Sequence, residues 1–378
     1  MRVGILSYPM LFQREGSLQV QVRETINALN RIAHIPSRGQ LEAELVDPSR
    51  SRLDDYDLVH VFAAAHGNHG IVEAAVELHV PVVLSAGIGT GWNRSDGQRA
   101  RIADRVLANL IGRGVQSSYA DTRRALQLAT LVVAEGEAER QAIRSAFLVN
   151  PAKVRVLPTG ISAHFFDADA DLFRSRTSLS GQFALMAGAI SPYNNQLGIA
   201  HALSELALPF VVIGEADERD TGYMRQLREV PGVICMGALH QQARMLASAY
   251  AAATIYVLPS QGEALSLTVL EALAAGTPVV MSEQCALHLP NSEFALKRTR
   301  WDDSRAQKSA LLDLLEAPPE RERVRALVRP LAWDSVALQL ADCYTDALAQ
   351  ARRARGPRAM PAVYSRAPGQ GACPSSES

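Results

Sequence analysis

Cysteine is scarce in this chain. Four occur in 378 residues (Cys235, Cys285, Cys343 and Cys373), and none has a partner at metal-ligand spacing. A disulfide scaffold and a zinc module are thereby excluded, and a reducing compartment fits. Charge of one sign is lacking too. Lys and Arg number 38 against 39 Asp and Glu, a formal net charge of -1, so no global field recruits nucleic acid. No apolar run approaches the ~20 residues that span a bilayer. The start, MRVGILSYPM, lacks the flanks of a signal peptide, so a cytoplasmic chain is expected. No metal motif is visible.

What is present is ordinary for a folded protein: 48% apolar and 20% charged residues. The length favours two domains over one. Strand-like and helix-like patterns alternate through the first half. RVGILS, LEAELVD, DLVHVFAA, VPVVLSA, ATLVVAE and KVRVLPTG read as strands. Helical spacing appears over Ser17–Ile32 (Leu18, Val22, Ile26, Leu29), around Gly70–His79, and over Asp121–Leu128 and Ala138–Phe147. Alternation of this kind predicts a parallel sheet covered on both faces.

Ile161–Ser180 is mostly polar and reads as an irregular linker. A second series then begins: FALMAGAI, the helix Asn195–Leu206, PFVVIGE, GVICMGA, ATIYVLPS and TPVVMSE. The fold class expected is α/β, with two Rossmann-like doubly wound parallel-sheet domains facing a cleft. Residues 1–165 form the first and 166–332 the second. A helix over 333–351 follows, and 352–378, rich in Pro, Gly, Ser and Arg, reads as a disordered tail.

The segment PSQGEALSLTVLEALAAGTPVV, from Pro259 to Val280, carries the chemistry. It runs strand, small-residue loop, apolar helix, strand, and holds Glu263 and Glu271. In open α/β sheets, ligands bind outside the carboxyl ends of strands. The free N–H groups of a helix start favour phosphate. Glu271 is flanked by Val269, Leu270, Ala272, Leu273 and Ala274, so nearly any helix orientation buries it. A buried carboxylate needs a donor, and a ribose diol would supply two. The plainer reading is a carboxylate on a solvated helix edge. For Glu263 the plainer reading is an acid that complements the helix dipole. Ser266 is a candidate N-cap.

GEALSLTVLEALAAGTPVVMSEQCAL resembles the paired-glutamate motif of the retaining GT-B glycosyltransferases of family four. KVRVLPTGI, FALMAGAISPYNNQ, FVVIGE and WDSVALQLADCYTDAL resemble further parts of that family, so the likeness covers about residues 1–350. It implies a nucleotide diphospho-sugar donor, a glycan or lipid-linked acceptor, no cofactor or metal, and retention of anomeric configuration. It implies that Glu263 is catalytic, set against the donor sugar. Glu271 would bind the ribose. Gly262, Ala264, Leu265, Ser266, Gly16, Ser17 and Asn194 would complete the donor site. The final helix would cross back to the first domain.

Four positions depart from the family pattern. Ala189 and Asn194 stand where an arginine and a lysine usually clamp the diphosphate, and Thr159 stands for the usual asparagine. A histidine common near the donor sugar is replaced by Ser85 or Gly87. His60, inside DLVHVF, reads as a core residue; His66 and His69 either face the cleft or are solvated. Arg94, Arg99, Arg101 and Arg105 cluster on one segment. They either meet anionic lipid headgroups, as peripheral membrane contacts, or form a solvated helix face. Arg14, Arg219 and Arg225 are the cations that would replace the missing clamp. The alternative to an enzyme is a non-catalytic binding or scaffold subunit with the same fold. A periplasmic sugar-binding protein is disfavoured by the missing signal flanks.

Overall fold

The computed structural model describes residues 1–13, 17–33, 41–89, 91–111, 117–240, 243–262, 267–285, 287 and 289–355. The first domain holds strands β1 (Arg2–Leu6), β2 (Glu42–Leu45), β3 (Leu58–Phe62), β4 (Val82–Ser85), β5 (Leu131–Ala134) and β6 (Val154–Val156). Helices α1 (Ser17–Ile32), α2 (His69–Glu77), α3 (Arg94–Ile111), α4 (Ser118–Leu128) and α5 (Glu137–Ala146) connect them. Their order is β2-β1-β3-β4-β5-β6, all parallel.

The chain then forms α6 (Ala163–Phe166) and α7 (Asp171–Thr177). The second domain continues through β7 (Ala184–Ala187), α8 (Gln196–Glu205), β8 (Phe210–Ile213), α9 (Thr221–Glu229), β9 (Val233–Cys235) and α10 (Arg244–Ala252). It closes with β10 (Ile255–Leu258), α11 (Leu267–Ala274), β11 (Val279–Ser282), β12 (Leu296–Thr299), α12 (Ser304–Glu316) and α13 (Arg321–Val328). The sheet order is β12-β11-β10-β7-β8-β9, again parallel. Strands β3, β5, β7, β8, β10 and β11 are buried along their whole length. That is why they read as continuous apolar runs: helices cover both faces of a parallel sheet.

Three details differ from the sequence reading. The stretch expected to be irregular contains α6 and α7, which bury Phe165 and Phe173 in the second core. Strand β12 (LKRT) was not anticipated, because only Leu296 and Thr299 of its four residues are buried. The last helix, α14 (Trp333–Arg355), runs past the expected end at Ala351, so residues 352–355 are helical; residues 356–378 lie outside those described.

Helix α14 returns to the first domain. Trp333, Val336, Ala337, Leu340, Ala341, Tyr344 and Ala347 recur at three- and four-residue spacing and are buried against the α1 residues Val22, Ala28 and Leu29. Burying one leucine of such a stripe contributes about 1.5–3 kcal/mol. The two passages between domains lie side by side: Ile161 N–H donates to the Leu331 carbonyl at 2.8 Å, and Trp333 N–H to the Ile161 carbonyl at 3.0 Å. Gly160 sits under the Trp333 indole, where a Cβ atom would fall 2.3 Å from the ring. Only a residue without a side chain allows that approach.

Candidate active-site cleft

Glu271 lies on α11, just beyond the carboxyl end of β10, and is 4% exposed. Its flanking apolar residues pack into the second core and carry the carboxylate in with them. The sequence reading gave it a ligand diol as donor. The protein supplies one itself: the Tyr250 hydroxyl, on α10, donates to Glu271 Oε2 at 3.1 Å. Burial and the neighbouring Glu271 charge push the Tyr250 hydroxyl well above the usual tyrosine range, so it stays protonated and keeps donating. Glu271 borders a recess shared with Val20 and Gln21 of α1, Thr159, Gly160 and Trp333. The second-domain glutamate therefore faces first-domain residues.

Glu263, Ala264, Leu265, Ser266 and Gly16 lie outside the described residues, as does Arg14. Ser17 opens α1. The loop leading to Glu263 is tied down next to its place in the chain. The Tyr193 hydroxyl donates to the Gly262 carbonyl, and Gln261 N–H donates to the Tyr193 carbonyl at 3.0 Å. The Asn194 amide donates to the Ala189 carbonyl at 2.7 Å. The two positions that lack the family cations thus bond to each other. Arg219 is 91% exposed and sits 3.9 Å from Asp217, and Arg225 is exposed on α9. Neither makes a described contact with the 189–194 loop.

The first-domain wall carries a polar set that sequence reasoning missed. Gln21 Nε2 donates to Glu135 Oε1 at 2.9 Å and to Thr159 Oγ1 at 3.1 Å; Thr159 Oγ1 donates to Glu135 Oε1 at 3.1 Å. These three residues, with His66, Ser85, Gly87 and Leu267, line a cavity of about 280 Å³ between the domains. One signal was available: Glu135 follows the buried strand ATLVVA, and a polar residue at a strand's carboxyl end is a candidate ligand contact.

Two buried groups hold this wall in shape. Glu139 accepts N–H bonds from Ile88 and Glu135, both at 2.6 Å, and so joins the β4–α3 loop to the end of β5. Burial raises its carboxyl to about 7, against the downward pull of the two N–H donors. His60 is fully buried, as expected. Its Nε2 lies 2.9 Å from Ser85 Oγ and its Nδ1 2.8 Å from the Tyr344 hydroxyl. Burial lowers His60 to about 3, so it is neutral and fixes the Ser85 hydroxyl at the cleft. The family histidine is absent from position 85, yet a histidine stands directly behind it.

His66 faces the cleft, while His69 turns to Asp121 on α4, 3.7 Å away. Arg94, Arg99 and Arg105 are exposed along α3. Arg101 is not available to a membrane in the same way. Its guanidinium donates to the Tyr119 hydroxyl at 3.0 Å and the Ala146 carbonyl at 2.7 Å. No helix among the described residues is long and apolar enough to cross a membrane.

Comparison with known proteins agrees with this fold. Residues 182–316 match the family described as Glycosyl transferases group 1. An MMP alpha-(1->4)-mannosyltransferase from Mycolicibacterium hassiacum is 28% identical over 223 residues, 55% of this chain and 52% of that protein. A D-inositol 3-phosphate glycosyltransferase from Segniliparus rotundus is 26% identical over 265 residues, 64% of this chain and 56% of that protein. The chain thus spans about half the length of the curated relatives it matches. Among solved structures, Anabaena HepE in complex with UDP superposes with a TM-score of 0.64 at 15% identity, covering 92% of this chain and all 100% of that one. Sucrose-phosphate synthase from Thermosynechococcus elongatus gives 0.63 at 17% identity, covering 92% and 99%. The two-domain fold is GT-B.

Proposed function

We propose that the protein is a glycosyltransferase that moves a sugar from a nucleotide diphospho-sugar to a hydroxyl acceptor in this cleft. The carrying observation is Glu271: a buried carboxylate at the carboxyl edge of a parallel sheet, held by Tyr250 and bordering the interdomain recess. Such a group suits a ribose diol, whose two hydroxyls replace the water the carboxylate has lost. The sugar-transfer activities named for the two relatives support the reaction class, and HepE has also been solved with UDP-glucose. A uridine donor is therefore the first to test.

In the reaction, the bond from the anomeric carbon to the leaving phosphate oxygen breaks. The acceptor hydroxyl oxygen bonds to that carbon, its proton passes to the phosphate oxygen, and the nucleoside diphosphate leaves. Glu263 orients the donor sugar and stabilises positive charge developing at the anomeric carbon. The backbone N–H groups of Ala264, Leu265 and Ser266 are the candidates to receive phosphate, a role that needs no metal. Retention of configuration rests on the likeness of the paired-glutamate motif. A cytoplasmic location at the membrane face is part of this reading. On α3, Arg99 and Arg105 are exposed beside Ile102 and Val106, which are 60% and 51% exposed. That mixture of cations and apolar side chains suits an anionic lipid surface.

A second reading has one observation behind it. Asn194 and Ala189 bond to each other where two cations would clamp a diphosphate, which fits a non-catalytic scaffold subunit. A thermal-shift screen against UDP, GDP, ADP and their sugar conjugates separates the two. A ligand at a hundred times its Kd stabilises by about 2.7 kcal/mol. A shift followed by turnover of the matching sugar donor supports the enzyme. No shift with any nucleotide supports the scaffold.

A further inference from the structure

One large cavity among the described residues is not in the cleft. It is a groove of about 760 Å³ on the first domain, beside the ends of β1 and β2. Its origin is topological. Every connection in the first sheet carries an α-helix except that from β2 to β3, which has only the short turn Leu53–Asp55. The sheet face beside α2 is therefore left open. Leu6, Leu45 and Val46 form the floor, and Ile71, Ala74 and Leu78 form one wall. Helix α2 is apolar on two sides: Val72 and Ala75 enter the core, while the 71, 74, 78 stripe turns to the groove. Leu45 and Leu78 are 45% and 43% exposed.

The groove adjoins the cleft. Tyr8 lines it and packs against His66, with ring centroids 5.0 Å apart, and His66 lines the cleft cavity. Its charges are already spent on each other. Arg52, the cation in its lining, makes a two-point contact with Asp54, at 2.9 and 3.2 Å. A phosphate finds no free cation among these lining residues. The volume falls in the ~300–1,000 Å³ range of small-molecule sites and is concave, unlike the flatter surfaces that two protein copies share.

We propose that this groove holds the uncharged apolar body, alkyl or aryl, of the acceptor, whose reacting hydroxyl reaches the cleft past Tyr8 and His66. The proposal rests on the glycosyltransferase reading and names its acceptor class. An apolar body contributes affinity through buried area, and the polar end sets orientation.

The test uses the full chain and the fluorescent probe N-phenyl-1-naphthylamine. Octyl β-glucoside, below its micelle concentration, and methyl β-glucoside compete for the probe, and UDP, GDP and ADP are titrated on the same preparation. Leu45→Arg and Leu78→Arg are the variants, chosen because both side chains are partly solvated. The proposal expects the probe to bind and the octyl compound to displace it at least about tenfold better than the methyl one. Each variant should weaken both apolar ligands by about tenfold or more, with melting temperature and nucleotide affinity unchanged. Unaltered apolar binding in both variants, or none in the parent, overturns it. So does a dimer in sedimentation that Leu78→Arg dissociates, which would assign the groove to a second copy. Nucleotide binding with an empty groove sinks this inference alone. Apolar ligands bound in the groove with no nucleotide bound sinks the glycosyltransferase reading, and the acceptor role with it.

Discussion

Glu271 and Tyr250 show at the residue scale what the sequence could and could not reveal. That Glu271 is buried was legible, because its neighbours on both sides are apolar. Its donor was not, because Tyr250 sits on another helix, 21 residues earlier. The same holds for the cleft wall: Gln21 meets Glu135 and Thr159 across 114 and 138 residues, and no local pattern encodes that meeting. Tyr250→Phe should cost about 1–3 kcal/mol of stability, because it removes a donor from a buried carboxylate; denaturant unfolding measures this. Two buried groups predict opposite pH slopes. Glu139 holds its proton up to about 7 when folded but only to 4.5 when unfolded. Between those values the folded chain binds more protons, so stability falls as pH rises. His60 is neutral above about 3 when folded and above 6.5 when unfolded. There the unfolded chain binds more protons, so its contribution is lost as pH falls below 6.5. Melting curves from pH 4 to 8 (roughly the window of both groups) should lose the descending slope in Glu139→Gln and the ascending one in His60→Phe.

At the scale of elements, strands buried on both faces announced themselves as apolar runs, and helices with one apolar stripe by their spacing. Strand β12 was hidden because Lys297 and Arg298 lie in its middle. Helices α6 and α7 were hidden because each is short and anchors through one large side chain, Phe165 and Phe173. The paired passages at Ile161 and Ala332 could not be read from either segment alone. They yield a prediction about the junction: Gly160→Ala places a methyl group against the Trp333 ring. It should destabilise the protein by about 1–3 kcal/mol, the usual penalty for overpacking, and calorimetry should show the melting temperature falling. A variant as stable as the parent would mean that the Trp333 contact yields freely.

On the whole-molecule scale, the chain sets buried Glu271 of the second domain beside the polar residues Gln21 and Thr159 of the first, and leaves Arg99 and Arg105 of α3 exposed. If α3 meets anionic lipid, flotation with phosphatidylserine vesicles should carry the protein at low salt. Arg99→Glu with Arg105→Glu should release it, since each basic residue near such a surface contributes about 1 kcal/mol. Binding that ignores both salt and the substitutions would remove α3 from the account. The central claim is the ribose role of Glu271, and titration calorimetry of the parent and Glu271→Ala with UDP, GDP and ADP tests it most directly. The account predicts that one nucleotide binds the parent and loses about tenfold or more of its affinity in the variant, while the fold persists. Equal affinity in parent and variant would contradict it.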